Sequence, residues 1–298
     1  MIRVGSCSWT EKTLIKSGEF YPPGVSSPAA RLRFYADHFK TVEVNSSYYA
    51  IPGVQTAQQW VERTPGDFTF HVKVYGALTG HGVDPKTLPG DIQNCLSAAE
   101  RSRRYIYLNS AELLEMVALR FREMLEPLKK SGKLGILIFQ YPPWFHCKDK
   151  SLAFIEKCQQ LMPGLELGIE FRHGSWLTSE TAPEVFSFLK QRKLTYITAD
   201  EPQYGSLATI PFLPQTTTRT AYFRLHGRNR QNWLKKGIET SLRYSYLYSE
   251  AELQEFLPVF RQASHEAEAT YVMLNNCHGG FAIKNALRLA RLLSQAAG

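Results

Sequence analysis

Residues 68–74 read F-T-F-H-V-K-V and residues 221–226 read A-Y-F-R-L-H, two stretches in which apolar and polar side chains alternate. Residues 41–45 (T-V-E-V-N) and 165–172 (L-E-L-G-I-E-F-R) show the same alternation. Side chains of a β-strand point alternately to opposite faces. One face of each stretch is therefore a packing surface, and the other carries charged or amide groups. Burying charged groups is costly unless they are paired. If the strands turn their polar faces toward one another, the pattern therefore predicts a functional site rather than an ordinary apolar core.

Strand and helix patterns alternate along the whole chain. Eight strand candidates fall near residues 2–8, 41–45, 68–74, 134–140, 165–171, 194–200, 220–226 and 270–275. Apolar residues recur at the helical period in residues 28–39, 110–130, 152–162, 182–193, 250–267 and 282–296. Repeated strand–helix units imply parallel strands. The sequence therefore predicts an α/β fold, a TIM-barrel-like (β/α)8 barrel that forms a single domain over residues 1–298.

Two connections depart from the regular strand–helix unit. The segment 75–133 is too long for one helix and predicts an enlarged connection between the third and fourth strands. The segment 201–219 contains three prolines and no helical period, so we expect the helix between the sixth and seventh strands to be missing. An open doubly wound sheet is the alternative fold, but residues 5–9 (G-S-C-S-W) lack the glycine-rich phosphate motif that follows the first strand of such folds.

Composition and charge limit the classes of protein to which this chain can belong. The 298 residues include 35 Lys and Arg against 27 Asp and Glu, a net charge of +8. This balance favours anionic partners such as phosphorylated metabolites or nucleic acid, although a solvated basic surface would give the same balance. Five cysteines without a C-x-x-C pair indicate free thiols in a reducing compartment. With no signal-peptide pattern and no apolar run near the roughly 18 residues that span a bilayer, we predict a cytoplasmic protein without a membrane partner.

Polar groups at the strand ends predict a pocket. In a TIM barrel the working face lies at the C-terminal ends of the strands. Every strand candidate carries a polar side chain there. These groups are Ser6 and Ser8, Glu43 and Asn45, His71 and Lys73, Gln140, Glu170 and Arg172, Asp200, Arg224, His226 and Arg228, and Asn275 and Asn276.

Acid–base chemistry is the leading interpretation of the charged groups. Glu43 and Glu170 are the predicted acid and base, because paired carboxyls with separated pKa values exchange protons with a substrate. Lys73 and Arg172 are expected to steer charge or tune those pKa values. The predicted catalytic set is Glu43, Lys73, Glu170, Asp200 and His226. The alternative is a purely structural network of ion pairs, Glu170 with Arg172 and Glu43 with Lys73.

A divalent metal is the less favoured use of part of this set. Glu170, Asp200 and His226 offer a mixed oxygen and nitrogen shell. The neighbouring cations could already neutralise these acids, and no local ligand motif such as H-E-x-x-H occurs. The sequence therefore predicts neither a metal nor another cofactor.

The loops after the last two strand candidates predict an anion site. Residues 224–230 (R-L-H-G-R-N-R) place three arginines around one loop, and residues 275–280 (N-N-C-H-G-G) place two glycines before a helix that starts near Phe281. Barrels often bind phosphate with these two loops and the following helix N-terminus. The predicted anion-binding residues are Asn45, Gln140, Arg172, Arg224, Arg228, Asn275, Asn276, Gly279 and Gly280. A tight turn beside surface arginines is the alternative.

Several long motifs resemble a known family. They lie at residues 32–52, 67–74, 134–145, 169–176, 222–228 and 275–286. Together they resemble the YecE-like proteins, the family also called domain of unknown function 72, from about residue 2 to residue 293. The resemblance implies a TIM-barrel-like fold and supplies no reaction. Family-typical polar positions match at Glu43, Asn45, Lys73, Gln140, Glu170, Arg172, Asp200, Arg224, His226 and Asn275.

Three function classes fit these observations. The leading hypothesis is an enzyme, a hydrolase or lyase, that acts on a phosphorylated or nucleotide-like anion by acid–base chemistry at the C-terminal face of the barrel. The second is a nucleic-acid-binding protein or nuclease, favoured by the basic balance and by loop aromatics such as Trp144. The third is a non-catalytic receptor for a carbohydrate or metabolite. No feature of the sequence predicts an oligomeric state.

Overall fold

Eight parallel strands form one curved sheet in the computed structural model, which describes residues 1–295. The strand order is β1-β8-β7-β6-β5-β4-β3-β2. Within the described residues β1 and β2 lie side by side without a hydrogen-bonded ladder, so the barrel is nearly closed. The strands are β1 Ile2–Ser6, β2 Thr41–Val44, β3 Thr69–Lys73, β4 Leu134–Gln140, β5 Leu167–Glu170, β6 Thr195–Asp200, β7 Thr220–Leu225 and β8 Ala269–Leu274.

Helices surround the barrel and connect most of its strands. They are α1 Lys12–Ser17, α2 Pro28–His38, α3 Val54–Glu62, α4 Gly90–Asn94, α5 Ala98–Arg101, α6 Ala111–Lys130, α7 Asp149–Gln160, α8 Ala182–Gln191, α9 Thr240–Arg243, α10 Glu250–Glu255, α11 Leu257–Glu266 and α12 Phe281–Gln295. This arrangement confirms the predicted TIM-barrel-like fold. The single domain over residues 1–298 stays a prediction, and Ala296 of the predicted last helix lies outside the described residues.

Both unusual connections have the predicted character. Three helices, α4 to α6, and two 3-10 turns fill the enlarged connection between β3 and β4. No helix occurs between β6 and β7 in the described chain. The predicted helix over 250–267 is instead divided at Phe256, because Pro258 has no backbone N–H to continue α10 and begins α11 in its first turn. The short helices α1 and α3 were not predicted from the helical period.

The longest helix shows why these segments fold as they do. Ser110 caps the N-terminus of α6 by accepting a hydrogen bond from the Leu113 N–H. Its apolar stripe, which includes Val117 and Phe121, is buried, and Lys130 lies in the last turn, where a cation is favoured. Burying this stripe holds α6 in place, and the residues that follow it lead directly into β4.

The barrel interior is divided into an apolar layer and a polar layer. The inward apolar side chains form a small cluster of Cys7, Ile136, Ile138, Ile197, Tyr222 and Met273. The larger hydrophobic core includes outward strand residues such as Val42 and Phe70 together with helix residues such as Phe121. The charged side chains lie at the C-terminal ends of the strands. No helix within residues 1–295 combines the length and the apolar character needed to cross a bilayer.

Candidate functional site

Arg224 on β7 is the centre of the site and is fully buried. Its Nη2 donates to Glu43 Oε1 at 2.7 Å and its Nε donates to Glu43 Oε2 at 3.1 Å. Its Nη1 donates to Glu170 Oε2 and, at 3.1 Å, to Gln140 Oε1. The Tyr222 hydroxyl donates to Glu43 Oε2 at 3.0 Å. Because a buried charge is stable only with partners, this guanidinium and the two carboxylates depend on one another.

The Arg224 guanidinium keeps Glu170 ionised. Burial raises the pKa of Glu170, but the charge of Arg224, the hydrogen bond from His226 and the charge of Arg172 more than offset it, so the pKa lies well below its ordinary value. A carboxylate held in this state accepts hydrogen bonds well and is a poor proton donor at neutral pH. Glu170 therefore fits an electrostatic and positioning role better than the role of an acid.

His226 is held neutral between fixed partners. Its Nδ1 accepts from the Asn275 side-chain amide at 2.8 Å, and its Nε2 lies 3.1 Å from Glu170 Oε1. Nε2 therefore carries the ring proton and donates a hydrogen bond to the Glu170 carboxylate. Burial lowers the pKa of His226 to about 3. Asn45 extends this hydrogen-bond chain by donating to Asn275 Oδ1 at 3.2 Å. Both ring nitrogens of His226 are therefore occupied, so the imidazole orients its neighbours and has no free nitrogen for proton transfer.

Lys73 at the end of β3 is a half-buried cation whose direct contacts are neutral. Its Nζ donates to Gln140 Oε1 at 3.0 Å and lies 4.4 Å from the centre of the Tyr48 ring. Among residues 1–295 no carboxylate oxygen lies within 4.0 Å of this nitrogen. Burial, with a smaller contribution from the positive charge of Arg224, lowers the pKa of Lys73 to about 8. The ammonium is thus mostly charged at pH 7 and has no counter-ion in direct contact, while the more distant charges of Glu170 and Glu43 only partly offset its burial.

Arg172 and Glu201 form a second ion pair at the mouth. Arg172 Nε lies 3.2 Å from Glu201 Oε2, and Arg172 Nη1 lies 3.3 Å from Glu170 Oε1. Glu201 Oε1 accepts the Ile210 N–H at 2.9 Å. Burial raises the pKa of Glu201 to about 7, although the Arg172 charge opposes the rise. Glu201 is therefore the carboxyl in this site that is suited to gain and lose a proton near neutral pH.

A cavity of about 170 Å³ opens beside these groups. Gln140, Arg172 and Glu201 contribute its polar wall, and Trp233 and Tyr244 contribute aromatic rings. The Arg172 guanidinium lies 4.9 Å from the centre of the Trp233 ring. A wider opening of about 380 Å³ lies at the opposite end of the barrel beside His71, away from the face where barrels hold their reacting groups.

Asp200 and Arg228 lie together outside this cluster. Arg228 Nε lies 3.1 Å from each Asp200 carboxylate oxygen, and the Tyr248 hydroxyl donates to Asp200 Oδ2 at 2.6 Å. Arg228 Nη1 also lies 3.5 Å from Glu252 and 3.3 Å from Glu255. The structure thus gives Arg228 three carboxylate partners and does not bring Asp200 to Glu170.

The metal alternative would need Glu170, Asp200 and His226 in one place. Only Glu170 and His226 are in contact. Within residues 1–295 no three His, Cys, Asp or Glu side chains are grouped so that they could hold a metal ion. Absence of a metal or cofactor stays a prediction.

The loop after β8 packs on α1. The Gly279 N–H donates to Thr13 Oγ1, and Gly279 and Gly280 have φ angles of 63° and 79°, which favour glycine. Asn276 is buried and its amide donates to the Tyr246 carbonyl and to Asn285 Oδ1. Of the predicted anion-binding residues, the structure therefore brings Asn45, Gln140, Arg172, Arg224 and Asn275 together and places the other four elsewhere.

The sequence reasoning missed Glu201, although a signal was present. Ala199 pairs in register with Arg224 on the neighbouring strand, so both point inward. Since strand side chains alternate, Glu201 also points inward and Asp200 points outward. The sequence prediction used Asp200, the acidic residue at the end of the strand. Alternation from Ile197 through Ala199 leads instead to Glu201 as the next inward side chain.

Comparisons with known proteins agree with the fold and the motifs. The family model "Protein of unknown function DUF72" matches residues 3–298. The UPF0759 protein YunF of Bacillus subtilis (strain 168) is 31% identical over 296 residues, which are 98% of this chain and 95% of that protein. A DUF72 family protein from Enterococcus faecalis V583 has a TM-score of 0.80 and 28% identity, covering 99% of this chain and 96% of the other. Another, from Thermotoga maritima MSB8, has a TM-score of 0.78 and 31% identity over 99% of each chain. The chain therefore belongs to the DUF72 family, as its motifs indicated.

Proposed function

We propose that this DUF72 protein is an enzyme that uses acid–base chemistry on a small anionic substrate, phosphorylated or nucleotide-like, at the C-terminal mouth of the barrel. The observation that carries the proposal is the Lys73 ammonium, which meets a neutral amide and a tyrosine ring where a counter-ion would be expected. Burying an unpaired cation is costly. A bound anion would remove that cost.

The charge balance of the mouth supports an anionic substrate. Lys73, Arg172 and Arg224 face the carboxyls of Glu43, Glu170 and Glu201. Because the pKa of Glu201 is about 7, this carboxyl is partly protonated near neutral pH, which leaves the cations in excess. An anionic group that enters the cavity meets the positive charge of Arg172 on its wall. Lys73 lies behind Gln140, to which it donates at 3.0 Å, and it holds no carboxylate that the anion would have to displace.

The residues divide into three roles in this proposal. Lys73 and Arg172 hold the anion, and Glu201 on the cavity wall transfers the proton. Arg224 is fully buried and bonded to Glu43, Glu170 and Gln140, so it positions those groups rather than touching substrate. This division fits hydrolysis or elimination, both of which need a proton donor or acceptor next to a bound anion.

A reducing compartment is part of the same proposal. All five cysteines are free, and Cys7 and Cys158 are buried in the barrel and under its helices. Burial raises the pKa of the Cys7 thiol well above its ordinary value, so it is a packing group rather than a nucleophile. We place the enzyme in the cytoplasm on this basis.

The test combines ligand-induced stabilisation with turnover. Wild type, Lys73→Met, Glu201→Gln and the control Lys130→Met, which removes an exposed lysine at the end of α6, are melted with inorganic phosphate and a panel of phosphate esters. The same panel is assayed for hydrolase and lyase activity. We expect Lys73→Met to lose the stabilisation, Glu201→Gln to keep it but lose turnover, and Lys130→Met to match wild type.

Two outcomes would contradict the proposal. Stabilisation of Lys73→Met equal to that of wild type would remove the anion site. Ligand binding without turnover of any ester by the wild type would replace the enzyme with a receptor.

A further inference from the structure

An aromatic surface continues outward from Lys73. The Tyr48 ring that Lys73 contacts lies 5.2 Å from the His81 ring and 5.0 Å from the Tyr49 ring, measured between ring centres. His81 lies 5.7 Å from Trp144 in the same measure. Tyr49 is 64% exposed and Trp144 is 59% exposed. Large rings that are exposed in a group beside a cavity mark a binding surface more often than rings exposed singly.

The cavity is too small to enclose the whole ligand. Pockets that bury most of a drug-sized molecule measure about 300–1,000 Å³, against about 170 Å³ here. Only a head group of the ligand fits beside Arg172 and Glu201. Any larger part of a ligand would lie outside the cavity, and the surface that continues from Lys73 through Tyr48 to His81 is aromatic.

The chemistry of this surface suits a planar ring attached to an anion. Tyr105 and Tyr107 are exposed, and the Tyr107 ring and the Tyr105 Cβ lie close to Gly82, next to His81 in the chain. Arg104 lies 5.3 Å from the centre of the Tyr105 ring, and Arg101 is exposed nearby in the chain. Aromatic faces interleaved with arginines stack nucleobases and attract their phosphates.

We propose, on the basis of the proposed function, that the substrate is a nucleoside phosphate, free or at the end of a strand. It enters with its terminal phosphate toward Lys73 and Arg172, and its base stacks on Trp144. The phosphate supplies the counter-ion that Lys73 lacks, and the ring covers the exposed aromatic surface. The phosphate and the base of the ligand are thus bound by different residues, Lys73 and Arg172 for the phosphate and Trp144 for the base.

The test measures binding of three probes by titration calorimetry. Adenosine 5′-monophosphate carries the phosphate and the base, ribose 5-phosphate carries only the phosphate, and adenosine carries only the base. A stacked base contributes roughly 5- to 150-fold in affinity, so we expect the nucleotide to bind at least about fivefold more tightly than ribose 5-phosphate. Trp144→Ala should remove that difference and leave ribose 5-phosphate unchanged, whereas Trp144→Phe should keep most of it. Leu119→Ala, at an exposed apolar position on α6, is the control.

The two proposals fail in different ways. Equal affinity of wild type for the nucleotide and ribose 5-phosphate, both reduced by Lys73→Met, would overturn the nucleotide inference and keep the anion site. No binding of any phosphate probe, or binding that Lys73→Met leaves unchanged, would overturn both. Short oligonucleotides with and without a 5′-phosphate identify the source. Tighter binding of the phosphorylated strand than of the mononucleotide supports a strand end, and the reverse supports a free nucleotide.

Discussion

Replacing Arg224 with Met should destabilise the protein strongly and in a pH-dependent way. The change removes the hydrogen bonds to Glu43, Glu170 and Gln140 and leaves two carboxyls buried without their cation. Breaking one side of a buried ion pair costs about 3–5 kcal/mol. We expect a loss of this size in the free energy of unfolding at pH 8, measured by urea denaturation.

The pH dependence follows from the sign of the Glu170 shift. In wild type its pKa is lowered, so its contribution to stability is present above the ordinary pKa and is lost as pH falls through the folded-state pKa. Without Arg224, burial dominates and raises that pKa, which reverses the sign. The penalty of the variant should therefore shrink between pH 8 and pH 5.

A variant in which all three charged residues are neutral separates the cost of unpaired charge from the cost of lost packing. Adding Glu43→Gln and Glu170→Gln to Arg224→Met should recover much of the stability at pH 8, because positions 43 and 170 then no longer carry buried charges that have lost their cation. Arg219→Met, at an exposed ion pair with Glu166, should leave the unfolding midpoint close to that of wild type. A penalty for Arg224→Met below about 1 kcal/mol, the size of an exposed pair, or one that does not change with pH, would refute the reasoning.

Three further outcomes are expected elsewhere in the site. Because the pKa of Glu201 is raised to about 7, its stabilising contribution is full at low pH and is lost as pH rises through about 7. In urea denaturation, the free energy of unfolding of Glu201→Gln relative to that of wild type should therefore be about 2–3 kcal/mol higher at pH 8 than at pH 5. Equal pH profiles of the two proteins would contradict this. Gly135→Ala places a methyl 2.4 Å from His71 Nδ1 and should cost about 1–3 kcal/mol, whereas Gly53→Ala, which meets no neighbouring atom within 4 Å, serves as the control in the same denaturation series. Arg228→Met should leave phosphate affinity unchanged in calorimetric titration, because this arginine is occupied by three carboxylates, and a weaker affinity would make it a ligand of the anion.

The sequence predicts the strand-borne half of the site well. Alternation in residues 41–45, 68–74 and 221–226 places Glu43, Lys73 and Arg224 on inward faces, and the structure brings them to one mouth. A period of two is reliable while the chain stays in a sheet, because each register pair fixes which side faces inward.

The loop-borne half could not be predicted in the same way. Gly227 has a φ of 92°, so the chain turns after His226 and the alternation no longer says where Arg228 points. Trp144 and Trp233 lie in loops without any period, and their positions depend on tertiary packing. Their aromatic character is visible in the sequence, but the place of Trp144 beside His81 and of Trp233 beside Arg172 is not.

The most direct measurement follows the Lys73 ammonium itself by NMR titration of the labelled lysine side chain, with and without inorganic phosphate. A half-buried cation without a counter-ion should titrate near pH 8 rather than at its ordinary value of 10.5, and phosphate should move the pKa upward because the anion stabilises the charged form. A pKa near 10.5 that phosphate does not change would show that Lys73 is an ordinary solvated lysine and that the mouth of the barrel holds no site for an anion.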